Sequence, residues 1–203
     1  MDPAARRMLF FGIIGILIAT SVVGVFRTLP IVAKNGTVSV YFASILSDIQ
    51  VDPTVSEATV TGRPGAEIVS LNVTIDSVSV HRNGAGNGSG WTVISRTTVT
   101  LDVLKPTNVT VLISMGEVPE QNITMVRLRV ASATASVKAS DGTISSKAVV
   151  VSSGELKIPL GSVRVAGQLN TSIVASRPHI VVQGNGTIRL TPVLHADKVT
   201  GPD

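Results

Sequence analysis

Three histidines, His81, His179 and His195, are the first residues to weigh for chemistry. A metal centre needs several ligands gathered by the fold, and no two of these stand at helix or hairpin spacing. The chain has no cysteine, so disulfides, thiolate metal sites and thiol catalysis are excluded. Serine is plentiful enough for a Ser-His-Asp set. No G-x-S-x-G elbow marks one, and such sets are defined by geometry rather than by sequence. Asp48, Asp52 and Glu57 are oxygen donors that calcium could use. Lacking EF-hand-like spacing, they read as solvated loop acids. Gln183-Gly184-Asn185-Gly186-Thr187 resembles a phosphate loop superficially. It lies between strand-like runs, with no Lys and no following helix, and reads as a hairpin turn. Trp91, the sole tryptophan, is expected to pack in the core rather than stack on a sugar. No enzyme activity, metal or cofactor is expected.

The pattern that stands out is a modification signal. The chain has eight Asn, and seven open an N-x-[ST] triplet: Asn35, Asn72, Asn87, Asn108, Asn122, Asn170 and Asn185. With Ser and Thr at roughly a fifth of positions, chance would supply about one or two. Accidental triplets in Thr- and Ser-rich strands are the bland alternative. The sharper reading is N-glycosylation of an outer surface.

That reading needs an exported domain, and the segment Met8 to Phe26 offers the means. It is 19 uncharged residues, flanked by Arg6 and Arg7 before and Arg27 after. A helix of that length roughly spans the hydrocarbon core of a bilayer. The two arginines hold the short tail inside by the positive-inside tendency. Three readings compete: an uncleaved anchor, a cleaved signal with Ala19-Thr20-Ser21 as its site, and a pilin-type leader. The length of the apolar run favours the anchor. A pilin leader would place a small residue where Met8 directly follows Arg7.

The remaining chain is nearly neutral. Setting aside Arg6, Arg7, Arg27 and Asp2 from the 17 Lys or Arg and 13 Asp or Glu leaves 14 against 12. No basic block tracks phosphates, and Tyr41, Phe42 and Trp91 are the only aromatics after Phe26, so no nucleic-acid partner is expected.

Period-two alternation then dominates. Thr37 to Ser44 places Val38, Val40 and Phe42 on one face. Ile45 to Pro64 reads as an irregular crossing. In Glu67 to Arg82, Leu71, Val73 and Ile75 share one parity and Val78 and Val80 the other, as a bulge at Asp76-Ser77 would produce; the alternative is two short strands with a tight corner. Asn83 to Gly90 is a hairpin loop. Trp91 to Ser95 and Thr98 to Leu104 return, and Lys105-Pro106-Thr107 turns the chain. Val109, Val111, Ile113 and Met115 make the next strand, with Gly116 to Asn122 as a loop. Val126, Leu128 and Val130 alternate before the parity slips to Ala131, Ala133, Ala135 and Val137. After the Asp141-Gly142 turn come Ala148 to Val151, then Leu156, Ile158 and Leu160, then one or two strands in Ser162 to Ala175. Ile180 to Val182 and Ile188 to Leu194 form a last hairpin. Short strands at near-regular spacing predict an all-β antiparallel β-sandwich or barrel. Parity puts Asn72 and Asn170 on its solvent face, and the other five sequons fall in turns or at strand ends.

Ordered landmarks in this chain resemble the family designated domain of unknown function 4382, of archaeal and bacterial exported proteins. They are Gly36-Thr-Val-Ser-Val, Ser-Val-Ser-Val-His81 leading to Gly90-Trp91, Ile123-Thr-Met-Val-Arg127-Leu-Arg-Val, Ser153-Gly-Glu-Leu-Lys-Ile-Pro-Leu160 and Gly184-Asn-Gly-Thr-Ile-Arg-Leu-Thr-Pro-Val193. They run from about Gly36 to Val199. One departure is Ser47-Asp48-Ile49-Gln50, where the family often has Thr-Asp-Ala-Pro. The resemblance implies an immunoglobulin-like or transthyretin-like β domain on an exported protein, with no known catalytic residues.

The resulting organisation is a cytoplasmic tail (1–7), a transmembrane anchor or signal (8–26), a linker (27–35), an exported β-sandwich (36–199) and a tail (200–203). The expected role is that of a single-pass, N-glycosylated cell-surface protein with a structural or interaction part in the cell envelope. Its partners would be the membrane through residues 8–26 and envelope proteins or further copies of itself. Two alternatives stand beside it. One is an extracellular small-ligand or glycan-binding domain, which needs a concave pocket with convergent polar groups. The other is a filament subunit joined by strand addition, which an unpaired strand near Thr37 to Ser44 would favour.

Overall fold

Valine, isoleucine and threonine fill the alternating stretches, and a half-buried pleated surface suits such side chains. A computed structural model of the chain describes residues 34–43, 67–84, 90–105, 110–176, 178–183 and 185–201. They form twelve strands, and no α-helix occurs among them: β1 (Asn35–Phe42), β2 (Glu67–Arg82), β3 (Trp91–Ser95), β4 (Val99–Asp102), β5 (Val111–Pro119), β6 (Gln121–Lys138), β7 (Ile144–Val151), β8 (Glu155–Val165), β9 (Asn170–Ser176), β10 (Ile180–Val182), β11 (Ile188–Leu190) and β12 (His195–Thr200). Among the described residues no helix is long and apolar enough to cross a membrane. Residues 8–26 lie outside the described residues, as do Asp48, Asp52, Glu57, Asn87 and Asn108.

The spine is the antiparallel pair of β2 and β6, of 16 and 18 residues. Their register skips Asp76 on β2, between Ile75 and Ser77, and Ala131 on β6, between Val130 and Ser132. Each extra residue reverses which parity faces inward. Leu71, Val73 and Ile75 before the skip and Val78 and Val80 after it are therefore all buried, each no more than 1% exposed. On β6 the same device buries Val126 and Leu128 and then Ala133, Ala135 and Val137. Beyond the bulges the flanking strands change. β3 and β8 flank the Val78–His81 and Gln121–Arg129 half, and β4 and β7 the other. β10 and β11 extend the second half through β7.

A second sheet, in the order β12-β9-β1-β5, closes the core. β12, β9 and β1 approach β8, and β5 runs beside β3. That approach requires Gly116, since a Cβ there would strike the Ile94 carbonyl oxygen. One apolar cluster unites both sheets, from Val38, Val40 and Phe42 through Leu71, Leu128 and Ile158 to Ile173, Ile188 and Leu194.

Four expectations are corrected. The sheets are mixed rather than antiparallel, because β1 runs parallel to β9 and β7 parallel to β11. Alternation is identical in either direction, so the pattern carries no trace of this. β1 also has its own chain on both sides, β9 and β5, so the unpaired strand that would favour strand addition is not present there. Gly116 to Asn122 is not a loop. β5 extends to Pro119, with Val111 and Met115 exposed and Ser114 and Val118 buried. The skip of Ile113 opposite Val40 and Tyr41 sets that parity, and a terminal position on an edge strand tolerates proline. Finally, β12 was not anticipated. Its burial pattern is almost wholly exposed, so it lacks the apolar alternation that reveals a strand.

Candidate functional site

With Val78, Val80, Val126 and Leu128 committed to the core, their neighbours must point to the other face. On β2 these are Ser77 and Ser79, and on β6 Arg127 and Arg129. Cross-strand register aligns Ser77 with Arg129 and Ser79 with Arg127. On the flanks, Val93 of β3 lies opposite Ser79, and Glu155 of β8 opposite Arg129. The bulge adds Asp76, and Arg96 follows the end of β3. Asp76, Ser77, Ser79, Val93, Arg96, Arg127, Arg129 and Glu155 line one pocket of about 420 Å³, within the size range of small-molecule sites.

The charges in the pocket are paired loosely. Arg127 Nη1 stands 3.5 Å from Glu155 Oε1, a diagonal contact, and Arg129 Nε stands 3.6 Å from Asp76 Oδ2. Direct charge-assisted N–H···O bonds measure about 2.7–2.9 Å, so both pairs leave hydrogen-bonding capacity unused. Asp76 Oδ1 is buried with no hydrogen-bond partner. Arg96 enters with no carboxylate partner among the described residues, and its side chain is exposed.

At the rim, Trp91 is half-buried on the outer face rather than in the core as expected. The Arg127 guanidinium carbon lies 4.1 Å from its ring centroid, and the His81 ring meets it edge-on at 4.9 Å. The reason is register: Trp91 pairs with His81, and His81 shares a face with Ser79. A cation over the indole is worth about 0.5–1 kcal/mol when exposed. His81 Nδ1 meets Thr124 Oγ1 at 3.0 Å, which engages this imidazole with a strand neighbour.

The other sequence candidates are scattered. His179 precedes β10, its carbonyl accepting from Thr191, and His195 opens β12 opposite Ser176. No group of three or more His, Asp or Glu able to hold a metal occurs among the described residues. Gln183 and Thr187 close the β10–β11 hairpin through the Gln183 N–H to Thr187 carbonyl bond. Asn35, Asn72, Asn122, Asn170 and Asn185 are all exposed. Asn35 Nδ2 donates to Glu117 at 3.2 Å, and Asn170 accepts from Ser39 Oγ at 3.0 Å. The pocket residues were missed as a group. The one available signal was Arg127-x-Arg129 on outward parity next to an acid at a bulge; Glu155 and Arg96 join only through pairing register.

Two mixed sheets with a charged pocket on an outer face define the class: an all-β, two-sheet domain. The chain belongs to the family described as Domain of unknown function (DUF4382), whose match covers residues 45–192. β1 and β12 lie outside that match. Among curated proteins and among solved structures, nothing matches the chain.

Proposed function

We propose that this chain is a membrane-tethered, N-glycosylated cell-surface domain with an interaction role in a cell envelope, and that its two sheets are the layers of an immunoglobulin-like or transthyretin-like sandwich carried on a transmembrane helix at residues 8–26. The observation behind this reading is the exposure of every described sequon asparagine, Asn35, Asn72, Asn122, Asn170 and Asn185. Asn72 lies within β2 and Asn170 opens β9, and their next residues, Val73 and Thr171, are fully buried. Their side chains thus take the solvent side of the alternation, as attached glycans require.

The test is isolation of the native protein from membranes. It should resist carbonate extraction and yield glycopeptides at these asparagines by mass spectrometry. A soluble form starting near Thr20 to Val25, or unmodified peptides at all five positions, would contradict the tether or the glycans respectively. A small-ligand reading has its own support in the pocket of about 420 Å³.

A further inference from the structure

We infer that the pocket between Asp76, Arg96, Arg127, Arg129 and Glu155 is a binding site for a carboxylated sugar, a hexuronic acid alone or within an acidic glycan. The inference rests on the pocket alone, independently of the membrane tether and the sequons.

The lining selects the ligand class by exclusion. An apolar molecule finds only Val93 and would strip water from five charged groups, which is costly without replacement partners. A bare cation meets three guanidiniums. A phosphate or sulfate meets guanidiniums already neutralised in part by Asp76 and Glu155, whose carboxylates repel it. A neutral sugar has no group for Arg96, the cation without a carboxylate partner among the described residues.

A uronic acid answers each element. Its single carboxylate takes the planar fork of Arg96, which presents paired N–H donors at carboxylate spacing. Its hydroxyls donate to Asp76 and Glu155 and accept from Arg127, Arg129, Ser77 and Ser79. The two internal ion pairs, at 3.5 and 3.6 Å, are long enough for such hydroxyls to share their donors and acceptors. Asp76, whose Oδ1 has no donor, is the under-satisfied acceptor such a ligand relieves.

The chain carries its own reporter. Trp91 is the only tryptophan, and Arg127, a pocket residue, lies against its ring. A ligand that draws on Arg127 alters that contact and therefore the indole emission.

The experiment titrates sodium D-glucuronate into the full chain in detergent micelles, read by Trp91 fluorescence and by calorimetry. Glucose, acetate and sulfate are run in parallel. Glucuronate should saturate with a dissociation constant on the order of 1 mM, as expected for one small polar ligand. Arg96→Gln should weaken it about tenfold or more, since one charge-assisted fork is worth at least that ratio. Arg189→Gln, an exposed arginine on β11, should leave it unchanged. Three results would overturn the inference: no saturable signal by either readout up to about 20 mM; glucose, acetate or sulfate binding as tightly as glucuronate; or undiminished binding by Arg96→Gln.

Discussion

Asp76 and Glu120 show how differently a carboxylate can be held on one surface. Asp76 is the unpaired residue of a bulge, with one oxygen unpartnered and the other 3.6 Å from Arg129. Glu120, in the bend between β5 and β6, takes a 3.0 Å hydrogen bond from Arg164 Nη2. That bond is the main cause that holds the Glu120 pKa below its ordinary value of 4.5. Partial desolvation opposes it; the Arg164 charge, the Gly167 N–H and the Lys34 charge assist it. A lowered carboxylate pKa favours the folded state above the unfolded value, and that contribution disappears as pH falls through the folded value. Arg164→Gln should therefore move the Glu120 titration upward in a carboxyl NMR experiment. The stability gap between variant and parent should be constant at neutral pH and close in acid. An unmoved titration would show that Arg164 is not the cause. At this scale the sequence was partly legible. Outward parity exposes Asn72, Asn170, Arg127 and Arg129 to a reader of alternation. The meeting of Arg127 with Glu155 and Trp91 depends on β8 and β3 taking particular registers, which no local pattern encodes.

The element that organises the molecule is the β2–β6 ribbon with its facing bulges. The bulge near Asp76 was legible because its cause is local: five buried apolar residues change parity within one strand, and only an extra residue reconciles them. The slip near Ala131 was legible on the same ground, although Ala131, grouped by parity with the inward Ala133, Ala135 and Val137, is itself the exposed extra residue. β5 was not, because the pairing partner sets its parity through the skip at Ile113, and its exposed Val111 and Met115 imitate an inward face. Parallel pairing of β1 with β9 was invisible for a related reason, since strand direction leaves no mark on alternation. Inserting one alanine between Ser77 and Val78 should shift the parity once more and send Val78 and Val80 outward while drawing Ser79 and His81 toward the core. Losing one fully buried valine side chain from the core costs about 1.5–3 kcal/mol, so two, with the Ser79 hydroxyl and the His81 imidazole buried in exchange, remove a large share of a domain's typical stability of about 5–15 kcal/mol. The insertion variant should be unfolded by circular dichroism. Asp76→Asn, which keeps the residue count, should remain folded. A folded insertion variant with native melting would mean that the inward parity of Val78 and Val80 does not hold the core.

In the whole molecule, β1 begins beside Asn170 and Pro119 and runs away from them, while β12 returns to end near Ser172. Lys34 and Gly201 therefore leave the four-stranded sheet at the same pole. β6 starts there too, since the Glu120 N–H bonds the Lys34 carbonyl. At about 3.3 Å per residue its 18 residues reach roughly 60 Å away. This layout makes the domain's resistance to force depend on direction. A pull between Lys34 and the Asp141-Gly142 turn draws β1 lengthwise between β9 and β5, so two ladders of hydrogen bonds are sheared together. A pull between Lys34 and Gly201 peels β12 from β9 one pair at a time, starting at Thr200. Forced rupture follows the unfolding barrier along the pulled coordinate rather than the equilibrium stability. Single-molecule pulling through the first pair of handles should give markedly higher rupture forces than through the second; equal forces would show that β1 is not the mechanical clamp. A domain held at its first strand would in this way carry load along its strongest axis, while its last strand could be stripped away without loosening the hold.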